Sequence, residues 1–257
     1  MLHVRDVGRG PAVLLLHAFP LNSRMWEPQI EDLRGRARLI APDFPGFGLS
    51  GPPIGTPSLA DYAREVLGVL KQLSVENVLV VGLSMGGYVA FRLVEELGAR
   101  LYGLLLADTR ATADSEEAAL ARHELAAEVE VQGVEVAASE YLPKLIGSAT
   151  LRTRPALVDQ LHAMILENST AGVAGALRAL AGRPDSTKLL GRLRCPVVCL
   201  AGEEDTVTPP DVARAMAARI PNARTEVLPQ AGHLSNLEAP GAFNDTLAYL
   251  IAESFPA

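Results

Sequence analysis

Short apolar runs alternate along the chain with longer stretches in which apolar residues recur at helical spacing. The runs PAVLLLH (11–17), ARLIAPD (37–43), NVLVVGL (77–83), LYGLLLAD (101–108), PVVCLAGE (196–203) and ARTEVLP (223–229) are continuous more than alternating. Strands read this way when helices cover both faces of a sheet. Their alternation with helical segments predicts an α/β fold with a mainly parallel sheet. The weaker stretch LHVRDVGRG predicts an antiparallel edge.

Between these runs lie the helices. SLADYAREVLGVLKQL repeats Leu59, Tyr62, Ala63, Val66 and Leu70 at helical spacing, with Ser58 as its N-cap. GGYVAFRLVEELG follows the third strong run and stops at Gly98, a natural C-cap. TPPDVARAMAARI predicts a helix capped by Thr208, with proline at its first positions and Asp211 in its first turn. A last helix is expected over about 242–252. From Thr112 to Leu193 no convincing strand occurs, and the stretch is rich in Ala, Leu and Glu. It predicts helices near 114–131, 133–143, 154–167 and 169–182. Such an insertion between two strands is most simply a lid. The expected organisation is therefore a core of residues 1–111 and 194–257 with a helical cap of residues 112–193.

Composition narrows the picture only a little. The 257 residues are 49% hydrophobic, enough for a sizeable core, and the formal charge is −7. An acidic chain is a poor match for nucleic acid or an anionic membrane, so neither is expected as a partner. Apolar stretches such as Ala12–Leu16 and Val78–Val81 fall far short of the roughly 18 residues of a membrane helix. MLHVRDVGRG has no signal-peptide core, which makes the cytoplasm the expected location. Cys195 and Cys199, the two cysteines, share the apolar run CPVVCL and offer no second ligand pair for zinc. They read as reduced core thiols.

The chemistry gathers at Gly82-Leu83-Ser84-Met85-Gly86-Gly87, which follows a strand and opens a helix. In that context G-x-S-x-G is a nucleophile elbow. The sharp turn lifts the serine above the sheet, and small residues on either side relieve the crowding. A serine needs a base to take its proton. Of His3, His17, His123, His162 and His233, His233 is the expected base: its loop AGHLSNLEAP between the last strand and last helix brings it to the carboxyl edge of the sheet, where Ser84 also emerges. His123 and His162 read as cap or surface residues, and His3 as an edge-strand residue. The base in turn needs a carboxylate to fix its tautomer. Asp205 in GEEDTVTPP is the expected one, with Glu203 and Glu204 beside it, and Asp108 one strand earlier as the rival. The oxyanion would be held by the amide of Met85 and by that of Phe19 in His17-Ala18-Phe19-Pro20. His17 is expected to tie that turn down through its ring nitrogens.

The segments LLLHAFPLNSRMW, APDFPGFGLS, VVGLSMGGYVAF, LAGEEDTVTPP and AGHLSNLEAP, in this order, resemble the α/β-hydrolase superfamily over essentially the whole chain. The resemblance implies the sheet, the helical cap and a reaction without cofactor or metal. It departs from many relatives in carrying His17-Ala18 where they have His-Gly. Members that act as dehalogenases or epoxide hydrolases use a carboxylate at the elbow, so Ser84 argues against both. The set looks most like small carboxylesterases and enol-lactone hydrolases, which implies a small-molecule ester or lactone as partner. Trp26, Phe44 and Phe47 are candidates to line or support the acyl pocket. Three alternatives stay open: cofactor-free haloperoxidase or perhydrolase chemistry, hydrolysis of amide or carbon–carbon bonds, and a non-catalytic receptor on the same fold.

Overall fold

Burial explains why the strands are so uniformly apolar. Every residue of β4 (Val78–Leu83) and β6 (Val197–Gly202) is buried, as are the last four of β2 (Ala12–Leu16) and β3 (Arg38–Pro42). With β1 (Val4–Gly8), β5 (Leu101–Ala107) and β7 (Ala223–Leu228) they form one seven-stranded sheet of order β1-β3-β2-β4-β5-β6-β7 in the computed structural model, which describes residues 2–256. All neighbours are parallel except β1, which pairs antiparallel with β3 and supplies the expected edge. Strand order reverses around β2, so loops leaving the carboxyl ends of β2, β3 and β4 converge there, the usual place for a ligand in such sheets.

The core helices are α1 (Glu27–Leu33), α2 (Leu59–Gln72) and α3 (Met85–Leu97). Ser58 caps α2 as expected: its hydroxyl accepts from the amide of Asp61, while the Asp61 carboxylate accepts from the amide of Ser58. Between β5 and β6 run α4 (Glu116–Gln132), α5 (Glu135–Leu145), α6 (Ser148–Thr153), α7 (Pro155–Leu166), α8 (Thr170–Ala181) and α9 (Thr187–Leu190). The last helices are α10 (Pro210–Ala217), α11 (Ser235–Glu238) and α12 (Pro240–Ser254). No helix among the described residues is long and apolar enough to cross a membrane.

The inserted helices seat on the loop after β3. Gly46 has φ of +85°, and a Cβ there would lie 2.3 Å from the Cα of Gly172 on α8, so the two backbones touch. Asn168, 5% exposed, pins the same junction. Its Nδ2 donates to the carbonyl of Pro20 at 2.7 Å, and its Oδ1 accepts from the amide of Gly48 at 2.8 Å. One amide side chain thus joins the insertion to the turns after β2 and β3.

Cys199 lies buried in β6, whereas Cys195 precedes the strand and is half-buried. Burial pushes the thiols up to about 11 for Cys195 and about 12 for Cys199, which keeps them protonated and weakly nucleophilic at neutral pH.

Candidate active site

Ser84 sits between β4 and α3 with φ of +54° and ψ of −113°, a conformation that a non-glycine residue adopts only when its surroundings impose it. The surroundings are visible. Its amide donates to the carbonyl of Ala107 at 2.9 Å, and its carbonyl accepts from the Thr109 hydroxyl at 2.8 Å. A Cβ on Gly82 would lie 2.5 Å from the carbonyl oxygen of Gly86, and one on Gly86 would lie 2.1 Å from that of Leu16. Gly87 has the same constraint, 2.5 Å from the Thr109 hydroxyl. Three glycines therefore let the elbow pack against β2 and against the turn after β5.

From this elbow a continuous hydrogen-bonded line runs through the three residues expected from the sequence. The Ser84 Oγ lies 2.8 Å from His233 Nε2, and His233 Nδ1 lies 2.8 Å from Asp205 Oδ2. Ser84 is half-buried, while His233 and Asp205 are almost wholly enclosed. Asp205 also accepts amide protons from Val207 at 2.8 Å and Thr208 at 2.9 Å, and the Thr208 hydroxyl proton at 2.6 Å. Burial works against ionisation of Asp205, but His233 and these donors outweigh it and hold its pKa below the ordinary value. The sequence predicts Thr208 as the cap of α10. Pro209 takes the N-cap position instead, and the Thr208 side chain turns back to the carboxylate.

Asp108, the rival carboxylate, occupies another place. Its Oδ1 accepts from the amide of Gly202 at 2.8 Å and its Oδ2 from the Ser235 hydroxyl. Full burial, reinforced by the charge of Asp205, pushes its pKa well above the carboxylate range. It ties the end of β6 to the helix turn after His233 and makes no hydrogen bond to the imidazole.

Of the two residues expected to hold an oxyanion, Met85 is the first residue of α3, so its amide has no intrahelical acceptor. The turn Ala18–Leu21 closes through Leu21 N–H to the carbonyl of Ala18, and the amide of Phe19 takes no part in the bonds that hold it. His17 anchors this turn. Its Nδ1 donates to the carbonyl of Ala18 at 2.9 Å, and its Nε2 accepts from the amide of Phe44 at 3.0 Å. That pattern requires the neutral ring, because a proton on Nε2 would oppose the Phe44 N–H. Burial lowers the His17 pKa to about 4, against an ordinary 6.5.

The stability consequence has a definite sign. Between pH 6.5 and pH 4 the unfolded chain binds a proton at His17 that the folded chain refuses. Stability from this group is complete above pH 6.5 and falls by about 3 kcal/mol as pH drops toward 4. Urea unfolding of wild type and His17→Gln across that window is expected to show a shallower pH dependence in the variant.

Phe44 packs its ring on His17, with centroids 4.4 Å apart, and on Tyr62 at 5.2 Å. Trp26, a candidate for the acyl pocket, is fully buried with its ring against Phe243 of α12 at 6.0 Å, a packing position beneath the turn. Phe47 stands between His17 and Phe19. Of the other histidines, exposed His162 pairs with Glu135 on the inserted helices, and His3 bonds Asp43, which also accepts from the amides of Ser23 and Leu49. No group of three or more His, Cys, Asp or Glu among the described residues is placed to hold a metal ion.

Sheet order, elbow and hydrogen-bonded line place the chain in a known class. The model of the alpha/beta hydrolase fold matches residues 11–240, and the chain belongs to that family. It is a hydrolase whose relatives include esterases and enol-lactonases. A thermophilic esterase from Thermogutta terrifontis, solved with malate bound, is 38% identical with a TM-score of 0.96, over 98% of this chain and 93% of that one. The enol-lactonase from Burkholderia xenovorans LB400 is 25% identical with a TM-score of 0.91, over 98% and 96%. 3-Oxoadipate enol-lactonase 2 of Acinetobacter baylyi is 29% identical over 91% of this chain and 86% of its own length.

Proposed function

We propose that this hydrolase cleaves small to medium carboxylic esters, and lactones among them, through an acyl-enzyme on Ser84. The observation that carries the reading is the line from Ser84 Oγ through His233 to Asp205, each step 2.8 Å. His233 Nε2 takes the hydroxyl proton as Oγ attacks the carbonyl carbon. The new oxyanion receives hydrogen bonds from the amides of Met85 and Phe19, aided by the positive end of α3. His233 then gives the proton to the leaving alkoxide, and the carbon–oxygen bond breaks. Water, deprotonated by the same nitrogen, attacks the acyl group and restores Ser84. Asp205 keeps Nδ1 protonated throughout and offsets the charge on the imidazolium.

The relatives' names, esterase and enol-lactonase, support the same bond type for this chain. The test is initial-rate hydrolysis of 4-nitrophenyl esters from acetyl to dodecanoyl, with a simple lactone alongside. The expected result is turnover that peaks at short acyl chains. Absence of turnover on every ester and on the lactone would overturn the reading.

A further inference from the structure

The loop that carries His233 is held against the inserted helices on both sides of the imidazole. Leu234 N–H donates to the carbonyl of Leu145, the last residue of α5, at 3.1 Å. Gly232 N–H donates to Glu238 Oε1 at 2.9 Å. The other carboxylate oxygen, Oε2, accepts the amide of Gly147, which caps α6, also at 2.9 Å. One carboxylate therefore joins the residue before His233 to the junction between α5 and α6. The two backbones touch there, since a Cβ on Gly232 would lie 2.2 Å from the amide nitrogen of Gly147. Gly232 is also pressed on β6, where a Cβ on Gly202 would lie 2.1 Å from its carbonyl oxygen.

His233 stands on a loop past the end of β7. Its ring bonds to Ser84 and Asp205 orient the imidazole, whereas the position of its Cα depends on what holds Gly232 and Leu234. Arg154, where α6 gives way to α7, extends the same seam. Its Nη1 donates to the carbonyls of Leu237 and Glu238 at 3.0 and 3.1 Å. Burial raises the pKa of Glu238 although the amides it accepts oppose the shift, the mark of a carboxylate held where water would suit it better. A carboxyl so perturbed beside the loop of His233 suits a functional role more than a stabilising one.

We propose that Glu238 is a positioning residue for His233: it clamps Gly232 to the α5–α6 junction, so that the seat of the inserted helices sets where the imidazole stands relative to Ser84. The inference rests on the reading of His233 as the base and adds to it a residue that touches neither substrate nor the reacting atoms.

Glu238→Ala is expected to lower kcat for a short-chain 4-nitrophenyl ester by about ten- to hundredfold and to leave KM within about twofold, the scale of a small misplacement of a reacting group. Long-range 1H–15N correlation spectra of the 15N-histidine-labelled protein read the ring itself, with the His233 signals assigned by their loss in His233→Gln. In wild type they are expected to show one fixed tautomer, protonated on Nδ1. In folded Glu238→Ala they are expected to move toward those of a ring that exchanges between both tautomers. A side chain that only stabilises the fold would lower the unfolding temperature and leave these signals in place. Unchanged His233 signals, or an unchanged kcat, therefore overturn the clamp. Glu238→Gln keeps one acceptor oxygen and is expected to lose less in both readouts. Gly147→Ala approaches from the other side. Its φ of −66° admits alanine, but the new Cβ would lie 3.0 Å from the amide nitrogen of Gly232, so the same signals are expected to shift. Should Glu238→Ala fail to fold, Gly147→Ala carries the comparison, and unchanged signals there overturn the clamp. If wild type turns over no ester, the hydrolase reading fails by itself, and the His233 signals alone judge the clamp.

Discussion

Ser84→Ala is expected to lower kcat for a 4-nitrophenyl ester by about ten-thousand-fold to a million-fold and to leave KM nearly unchanged. The size follows from what the hydroxyl does. In the proposed reaction it supplies the bond-forming atom, and neither His233 nor the amides proposed for the oxyanion replace it. They retain the residual acceleration over water that binding and oxyanion stabilisation give on their own. The backbone should tolerate the change, because Ala meets the same strain as Ser at φ of +54° and loses no hydrogen bond from its amide or carbonyl. Thermal unfolding of the variant is therefore expected near the wild-type temperature, which separates lost chemistry from lost structure.

Asp205→Asn is expected to give the second large effect, a fall in kcat of about ten-thousand-fold. Asp205 Oδ2 accepts from both His233 Nδ1 and the Thr208 hydroxyl, and Oδ1 accepts two backbone amides. An asparagine that keeps its oxygen toward the amides turns its NH2 toward the ring, and the imidazole answers with the tautomer that places its proton on Nε2. That nitrogen then has no lone pair for the proton of Ser84. Asp108→Asn is the control. It preserves an acceptor for the amide of Gly202 and a partner for Ser235, so a loss below about tenfold is expected. Steady-state kinetics of the two variants side by side check the assignment. A larger loss in Asp108→Asn would move the orienting role to the earlier strand.

Much of this site is legible in the sequence because its residues follow strands. Strands covered on both faces read as unbroken apolar runs, and the residues just past β2, β4, β6 and β7 then fall at one sheet edge. Ser84, Asp205, His233 and the turn of Phe19 all have that kind of address. The parts that stay hidden depend on packing between distant segments. Asn168 joins two turns more than a hundred positions away, and nothing local marks it. Thr208 looks like a helix cap, since Pro209 and Pro210 follow it, yet its hydroxyl is worth more to the carboxylate three residues back.

The inserted helices show the same limit. The four longer ones, α4, α5, α7 and α8, lie near their expected positions because composition and period persist over three or more turns. α6, six residues of SATLRT between Gly147 and Arg154, carries no apolar period that would mark it as a helix. The placement of Trp26 against Phe243 likewise follows from the docking of α12, which the sequence around Trp26 does not encode. Glu238 and Gly147 lie 91 residues apart, and only the seating of α6 on the loop of His233 brings them together.

In the proposed reaction Ser84 forms a covalent bond with the acyl group it transfers. Treatment with a 4-nitrophenyl alkylphosphonate, followed by intact-mass measurement and peptide mapping, tests this whatever the physiological substrate is. The expected result is a single adduct on the peptide containing Ser84, with release of one equivalent of nitrophenol and parallel loss of esterase activity, and no adduct in Ser84→Ala. Full modification of another residue, or esterase activity that survives complete labelling of Ser84, would contradict it.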